Sequence, residues 1–406
     1  MTTAVVLNLP EPGHMNATYA TVAELTRRGE RVVYFATEPF RAHIEATGAV
    51  YASYGDPQSF IPPAHTGGLY SVMAWLMGLA EEILPSLLER IRAETPSYLL
   101  VDSMCVWGHL AARILGIPAV TIASVFVPDD RRVPLEAMLE QVYGRASKEQ
   151  VLEGIAALDQ YIQISRRVDH RHGVVSPNMV EFFAGRNDLN IVFTSREFHL
   201  DGEHFDGSYR FVGPSVSRPA AQEPLELGEP ATPLLYISLG TIFNDAPAFY
   251  RACIEAFAGE PVRVLISAGA KIDLDSLGHA PANFLVRRSV PQLRVLEEAS
   301  LFLTHGGMNS VNEALWHGVP LLVYPQHGDQ HLVAARVAQL GAGMVLRPGE
   351  IEPAKLREMA AAILSNPQFR RRAGELGASM KASGGASSAA DAILAYAARE
   401  EAVACL

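Results

Sequence analysis

The sequence predicts an α/β fold built as two successive domains with parallel sheets, and three observations carry that reading. Ala4–Leu9 is a short apolar run that reads as a buried strand. The segment from about Asn16 to Arg28 reads as a helix stopped by Gly29, and Arg31–Ala36 is apolar again, so the chain opens as β-α-β. The same alternation restarts at Leu234–Leu239, followed by Gly240-Thr241, a helix near Pro247–Ala258 and the strand Val262–Ser267. Between the two series, Pro214–Pro233 is rich in proline with little periodicity, a linker by composition. The expected division is a first domain over 1–213, a linker over 214–233, a second domain over 234–384 and a last helical segment over 385–406.

The remaining elements follow in order. Residues 55–70, with their prolines and glycines and with Phe60, His65 and Tyr70, read as a loop. An apolar helix through Trp75, Leu76 and Leu79 comes next, then a helix through Leu87 and Ile91. Tyr98–Val101 is a strand ending at Asp102, His109–Leu115 is helical, and Ile117–Ser124 is a strand. Residues 128–185 are mostly helical and amphipathic, and Asn190–Thr194 and Tyr209–Val212 close the first half. In the second half Leu301–Thr304 is a buried strand and His305-Gly306-Gly307 a turn. Asn309 and Ser310 are good helix starters, Val311–His317 is a short helix ended by Gly318, and Val319–Tyr324 is a strand stopped by Pro325. The last helix runs from about Ser388 to Ala402.

Composition narrows the function classes. With 406 residues, 49% hydrophobic and 19% charged, the chain is ordinary globular protein long enough for two domains. A net charge of -11 disfavours DNA or RNA as a partner. Cys105, Cys253 and Cys405 are odd in number and far apart, which points to a reducing compartment, the cytoplasm. The N-terminal MTTAVVLNLPEPG lacks a basic n-region, and no stretch approaches twenty uninterrupted apolar residues, so neither a signal peptide nor a membrane span is expected. The first β-α turn lacks Gly-x-Gly-x-x-Gly, which disfavours hydride chemistry with a dinucleotide. Asp273-Leu274-Asp275 sits in a polar loop and reads as solvated, not as a metal motif. The thirteen histidines show no zinc spacing, with His170 and His172 expected at the surface, and Arg370-Arg371-Arg372 reads as a solvated helix face.

The chemistry concentrates at strand ends. His305, Asn309 and Ser310 fall where a strand gives way to a helix, where free backbone N–H groups and the helix dipole favour an anion and glycines let a phosphate approach the backbone. Asp329-Gln330 lies past the next strand at the same sheet edge, and ligands of open α/β sheets bind at that edge. His14 lies in the first β-α turn and Asp102 at a strand end on the corresponding edge of the first domain. A neutral imidazole can take a hydroxyl proton, and a carboxylate behind it can fix its tautomer.

These residues carry a resemblance. His305-Gly-Gly-Met-Asn309-Ser310-x-x-Glu313, followed by Pro325-x-x-x-Asp329-Gln330, resembles the donor signature of the UDP-glycosyltransferases, most closely the bacterial macrolide and natural-product enzymes. The resemblance spans nearly the whole chain. It implies the GT-B fold of two facing Rossmann-like domains, with the last helix crossing back onto the first. It implies donor contacts from Ser238 and Thr241, from Ser289, Val290 and Gln292 near the nucleoside, from His305, Gly307, Asn309 and Ser310 at the phosphates, from Glu313 at the ribose, and from Asp329 and Gln330 at the sugar. It makes His14 the base and Asp102 its partner. The leaving diphosphate can be stabilised by a metal or by fixed donors; the resemblance implies fixed donors, with no metal and no cofactor beyond the nucleotide sugar, UDP-glucose or a dTDP-sugar. Ser289 departs from the pattern, which has an aromatic residue there to stack on the base. Phe60, Tyr70, Met73, Trp75, Phe126 and Met138 are candidates to line an acceptor pocket. The expected activity is inverting, metal-independent transfer of a sugar to a hydroxyl of an apolar natural product. The alternatives are a sugar-nucleotide epimerase on the same fold and a non-catalytic sugar-nucleotide-binding partner protein.

Overall fold

A computed structural model describes residues 2–62, 68–128, 148–216, 225, 227–229, 231–241, 244–347 and 349–404. The chain forms two compact units. One comprises Met1–Thr194, Asp201–Ser215 and Ser383–Leu406, the other Ser195–Leu200 and Val216–Ala382.

The first unit is built on seven parallel strands: β1 (Thr3–Leu7), β2 (Arg31–Ala36), β3 (Val50–Ser53), β4 (Tyr98–Asp102), β5 (Ala119–Ala123), β6 (Leu189–Val192) and β7 (Tyr209–Phe211). They lie in the order β3-β2-β1-β4-β5-β6-β7. Side chains alternate between the sheet's faces, and both faces are covered, which explains the unbroken apolar runs. Val5 and Leu7 of β1 and Leu99 and Val101 of β4 join the core that includes Met73, Leu76, Met77 and Trp107. Ala4, Val6, Tyr98 and Leu100 point the other way, into a core with Val22, Leu25, Ala389 and Ile393. The helix Gly385–Ala404 therefore completes one face of this sheet, packing on the helix Pro12–Arg27, with Arg28 bonded to Asp391 and Ser387.

Two helix boundaries differ from expectation. The first helix begins at Pro12, not near Asn16, because Pro is favoured at the first helical position; His14 sits inside the first turn. The two helices expected around Trp75 and Leu87 are one, Leu69–Glu94, with Pro85 inside it. Pro removes one helical hydrogen bond, and packing against the helices Val106–Leu115 and Lys148–His172 holds both halves in line. This helix is long and apolar enough to cross a membrane, yet more than half of its most apolar stretch is buried inside the protein.

The second unit has six parallel strands: β8 (Leu234–Ser238), β9 (Arg263–Ser267), β10 (Phe284–Arg287), β11 (Ala299–Thr304), β12 (Leu321–Val323) and β13 (Gly343–Val345), in the order β10-β9-β8-β11-β12-β13. The helix Met308–Trp316 leaves β11 and packs on the helix Pro367–Ala382, where Gly377 touches it so closely that a Cβ would lie 2.1 Å from the Leu315 carbonyl oxygen. Arg370 and Arg371 are exposed, as expected of a solvated face, while Arg372 is half-buried; Arg370 and Arg372 also donate to the backbone oxygens of Ala299 and Leu340. Ser195–Leu200 belongs with this unit, since the Arg336 guanidinium donates to the carbonyls of Glu197, Phe198 and His199.

In each sheet the strand order reverses once, between β1 and β4 and between β8 and β11. A crevice opens outside the carboxyl ends of such a pair.

Two stability predictions follow from this packing. Gly377→Ala sets a methyl against backbone that cannot swing away, and is expected to cost about 1–3 kcal/mol in urea unfolding; an unchanged midpoint would show that the two helices part freely. Burial pushes His109 and His199 each down to about 4. The unfolded chain binds their protons near its ordinary ~6.5, so the stability they confer is full above that pH and is lost as pH falls from about 6.5 toward 4. His109→Gln should flatten the fall measured at pH 7, 5.5 and 4.5; an identical slope refutes it.

Candidate active site

At the first reversal, the sequence places a polar pair against apolar strands. Asp102 ends β4 and is 1% exposed, and its Oδ2 lies 2.8 Å from His14 Nδ1. Its other oxygen accepts the Met104 backbone N–H at 2.9 Å. A carboxylate can only accept, so Nδ1 carries the proton, and Nε2 keeps a lone pair able to take another. The His14 side chain is 16% exposed, enough for a small group to reach it.

Two further residues act on His14, and both lie in segments read from sequence as strands. Ser124, just past β5, puts its hydroxyl 3.2 Å from His14 Nδ1. Asn8, just past β1, donates through Nδ2 to the His14 carbonyl at 3.3 Å and to the Tyr34 hydroxyl at 2.7 Å, tying the first helical turn to the sheet. A polar residue closing an apolar strand at a sheet's carboxyl edge is the signal that could have found them.

At the second reversal, Ser238 ends β8 and pairs in register with Thr304 of β11. His305 follows. Its ring fits a slot between two glycines: a Cβ on Gly307 would lie 2.5 Å from Nε2, and one on Gly240 would lie 2.6 Å from Cε1. Gly240 also has φ +77°, open mainly to glycine. Burial pushes His305 down to about 4, the Ser238 backbone opposing, so the ring is neutral near pH 7. Gly307, not Asn309 or Ser310, is the cap of the helix Met308–Trp316, because its extended backbone precedes the first turn. The first intrahelical bond runs from Val311 N to the Gly307 oxygen, so the turn holding Met308, Asn309 and Ser310 presents backbone N–H groups, an anion-favouring end.

One helical turn on, Glu313 meets Gln292. The Gln292 amide donates from Nε2 to Glu313 Oε2 at 2.6 Å and to Ser310 Oγ at 3.3 Å. Burial raises the Glu313 pKa, and the Gln292 hydrogen bond opposes that rise. Tyr236, hidden within an apolar strand, donates to Gln292 Oε1 at 3.0 Å; nothing in its sequence surroundings marks it.

The other expected donor residues are placed less uniformly. Thr241 and Ser289 are exposed and Val290 is half-buried. Arg288, beside Ser289, has its guanidinium on the carbonyls of Ala270 and Ile272. Asp329 starts the helix Gln330–Gln339, but Gln330 is 8% exposed and spends Oε1 on the N–H groups of Gln326 and His327, so this oxygen braces a loop.

The acceptor candidates divide. Phe60 and Met73 are 4% and 0% exposed, Phe60 stacked on Tyr54 and edge-on to Trp107; they are core and have no surface to offer a ligand. Tyr70 and Trp75 are half-buried against that core, and Phe126 is buried. Met138 lies outside the described residues. Asp273 and Asp275 are exposed, the Asp273 side chain accepting the Asp275 N–H in a short turn. Among the described residues, the side chains close enough to share a metal ion are Asp201, Glu203 and His204.

Comparison with known proteins agrees with this geometry. Residues 259–394 match the family model described as Erythromycin biosynthesis protein CIII-like, C-terminal domain. The chain is similar to the NDP-glycosyltransferase YjiC of Bacillus subtilis (strain 168), 36% identical over 96% of this chain and 96% of the relative. It is 28% identical to the oleandomycin glycosyltransferase of Streptomyces antibioticus, over 94% of this chain and 87% of that one. The solved structure of CalG4, the calicheamicin glycosyltransferase, matches with a TM-score of 0.83 at 29% identity, covering 98% of this chain and 99% of the other. With two doubly wound parallel sheets, polar clusters at both reversals and relatives matched along nearly its full length, the chain belongs to the bacterial GT-B glycosyltransferases that include the NDP-glycosyltransferases and antibiotic glycosyltransferases, and it is a glycosyltransferase.

Proposed function

We propose that this enzyme moves a hexose, with inversion and without a metal, from UDP-glucose to a hydroxyl of an apolar natural product such as a macrolide, another polyketide or a phenolic. The observation that carries the proposal is the His14–Asp102 pair, a partly exposed imidazole with a buried carboxylate 2.8 Å from one ring nitrogen. The names of the relatives, antibiotics among them, support the acceptor class.

In the proposed reaction His14 Nε2 takes the acceptor's hydroxyl proton while Asp102 stabilises the imidazolium that forms. The acceptor oxygen attacks the anomeric carbon in line, and the bond from that carbon to the diphosphate oxygen breaks with its electron pair on the oxygen. An α-linked donor then gives a β-glycoside. The leaving diphosphate is met by the first turn of the helix Met308–Trp316, by Ser238 and Thr241, and by His305. Because His305 is neutral, it acts as an oriented dipole, which a preorganised site can use without a full charge. Asp329 is the residue we assign to the sugar hydroxyls, with Gln330 bracing the loop beside it. Cys105 and Cys253 are free and buried, which fits work in a reducing cytoplasm.

Incubation of the protein with UDP-glucose and a panel of macrolide and phenolic acceptors in EDTA, followed by mass spectrometry, should show a one-hexose gain. His14→Ala should lower turnover by 100-fold or more, on the order of general-base catalysis, while UDP binding persists. UDP binding with no product from any acceptor would move the assignment to an epimerase or a binding partner, and product that vanishes in EDTA would remove metal independence.

Ser289→Trp is expected to tighten UDP binding about fivefold or more by supplying a ring for the base, measured by calorimetry. Unchanged affinity would mean that this position does not face the base.

A further inference from the structure

Asn244 lies just past Gly240, the glycine that makes room for the His305 ring, and is 1% exposed. Its Nδ2 donates to the Gly240 carbonyl at 2.8 Å, and among the described residues no other hydrogen bond reaches that oxygen. Asn244 Oδ1 is buried with no partner among them, and a flipped amide would set it against the Gly240 oxygen. Behind the amide stands Gly269, at φ +88°, where a Cβ would lie 2.1 Å from Asn244 Nδ2. Gly269 is itself held, its N–H donating to the Arg288 carbonyl at 2.9 Å. The amide is therefore wedged between a fixed backbone and the Gly240 carbonyl.

The consequence falls on the next peptide. A trans peptide carries its C=O and N–H on opposite sides, so a Gly240 carbonyl held toward Asn244 points the Thr241 N–H the other way. Gly240 has φ +77°, and glycine adopts either sign of φ, so this peptide could rotate if nothing held it. Leu239 has a separate anchor. The Tyr250 hydroxyl, from the helix Pro247–Phe257, lies on the Leu239 backbone and donates to the Ala268 carbonyl at 3.3 Å. Asn244 therefore governs the Gly240–Thr241 peptide and not the strand before it. Thr241 is exposed, and its N–H has no partner among the described residues.

We propose that Asn244 is a positioning residue for the leaving group: it locks the Gly240–Thr241 peptide so that the Thr241 N–H stands as a preset donor to the diphosphate. A donor fixed beforehand needs no reorientation as charge develops on the leaving oxygen. Gly269 belongs to the same device, since only a residue without a side chain leaves space for the amide. The inference rests on the reading of this loop as the phosphate side of the donor site.

The test compares UDP with uridine, which lacks both phosphates, in calorimetry on the full-length protein. The wild type should prefer UDP by about tenfold or more, the scale of one hydrogen bond to a charged group. Asn244→Ala should weaken UDP by about fivefold or more, on the scale of one lost hydrogen bond, and leave uridine unchanged; general loosening would weaken both. Gly269→Ala, which reaches the loop only through the amide, should give the same phosphate-specific loss. Combined with Asn244→Ala it should add nothing, because the shortened side chain leaves room for the methyl. Should Asn244→Ala fail to fold, Asn244→Leu keeps the volume without the donor and must produce the same loss. UDP affinity unchanged in a folded Asn244 variant, or UDP and uridine weakened alike, overturns the role of Asn244. Additive losses in the double variant overturn the role of Gly269. A wild type that binds UDP no more tightly than uridine overturns the underlying assignment of this loop to the phosphates.

Discussion

In a parallel sheet whose strand order reverses, the connections on either side of the reversal leave in opposite directions, and the carboxyl ends of the two central strands are left uncovered. That constraint places nearly every chemical group of this enzyme. Asp102 ends one strand of the first such pair, and His14 follows the other, in the first turn of the next helix. In the second pair Ser238 ends one strand and His305 follows the other. The strands are otherwise mainly apolar on both faces, so the reversals are where polar side chains can be held rigidly at the end of a sheet.

Burial then decides the charge state of what sits there. His305 is kept neutral by its glycine slot, and Glu313 is withdrawn from water with one strong donor, Gln292, on its carboxylate. Asp102 is almost fully buried but has a backbone N–H on one oxygen and His14 on the other, so its lone pairs are used. The glycines serve the same end. Gly240 and Gly307 act by what they lack, since a single methyl on either would occupy the space of the His305 ring. Farther back, Gly377 lets the helix that carries Ser310 and Glu313 lie directly on its neighbour.

The misreadings of the sequence share a cause. The segments around Trp75 and Leu87 read as two helices because the two helices that hold them in one line are remote in sequence. Phe60 and Met73 read as candidates for a ligand surface because an aromatic or a methionine has the same chemistry in a pocket and in a core. Arg372 reads as fully solvated, although it is half-buried, because its acceptor is a backbone oxygen remote in sequence.

The sequence by itself determined the alternation of strands and helices, and with it the two sheets, because apolar runs and glycine or proline stops act over a few residues. It also marked His14, Asp102, His305, Gln292 and Glu313, because polar residues at strand ends and in a spaced signature are visible without a fold. The tertiary structure alone decided their pairing. That Asp102 lies behind His14, that Ser124 sits beside the same imidazole while Asn8 holds the His14 carbonyl, and that Tyr236 donates to Gln292 depend on how the strands and the helices between them are brought together. Strand order is set by long-range burial of both sheet faces, a property of the whole chain that no local window contains.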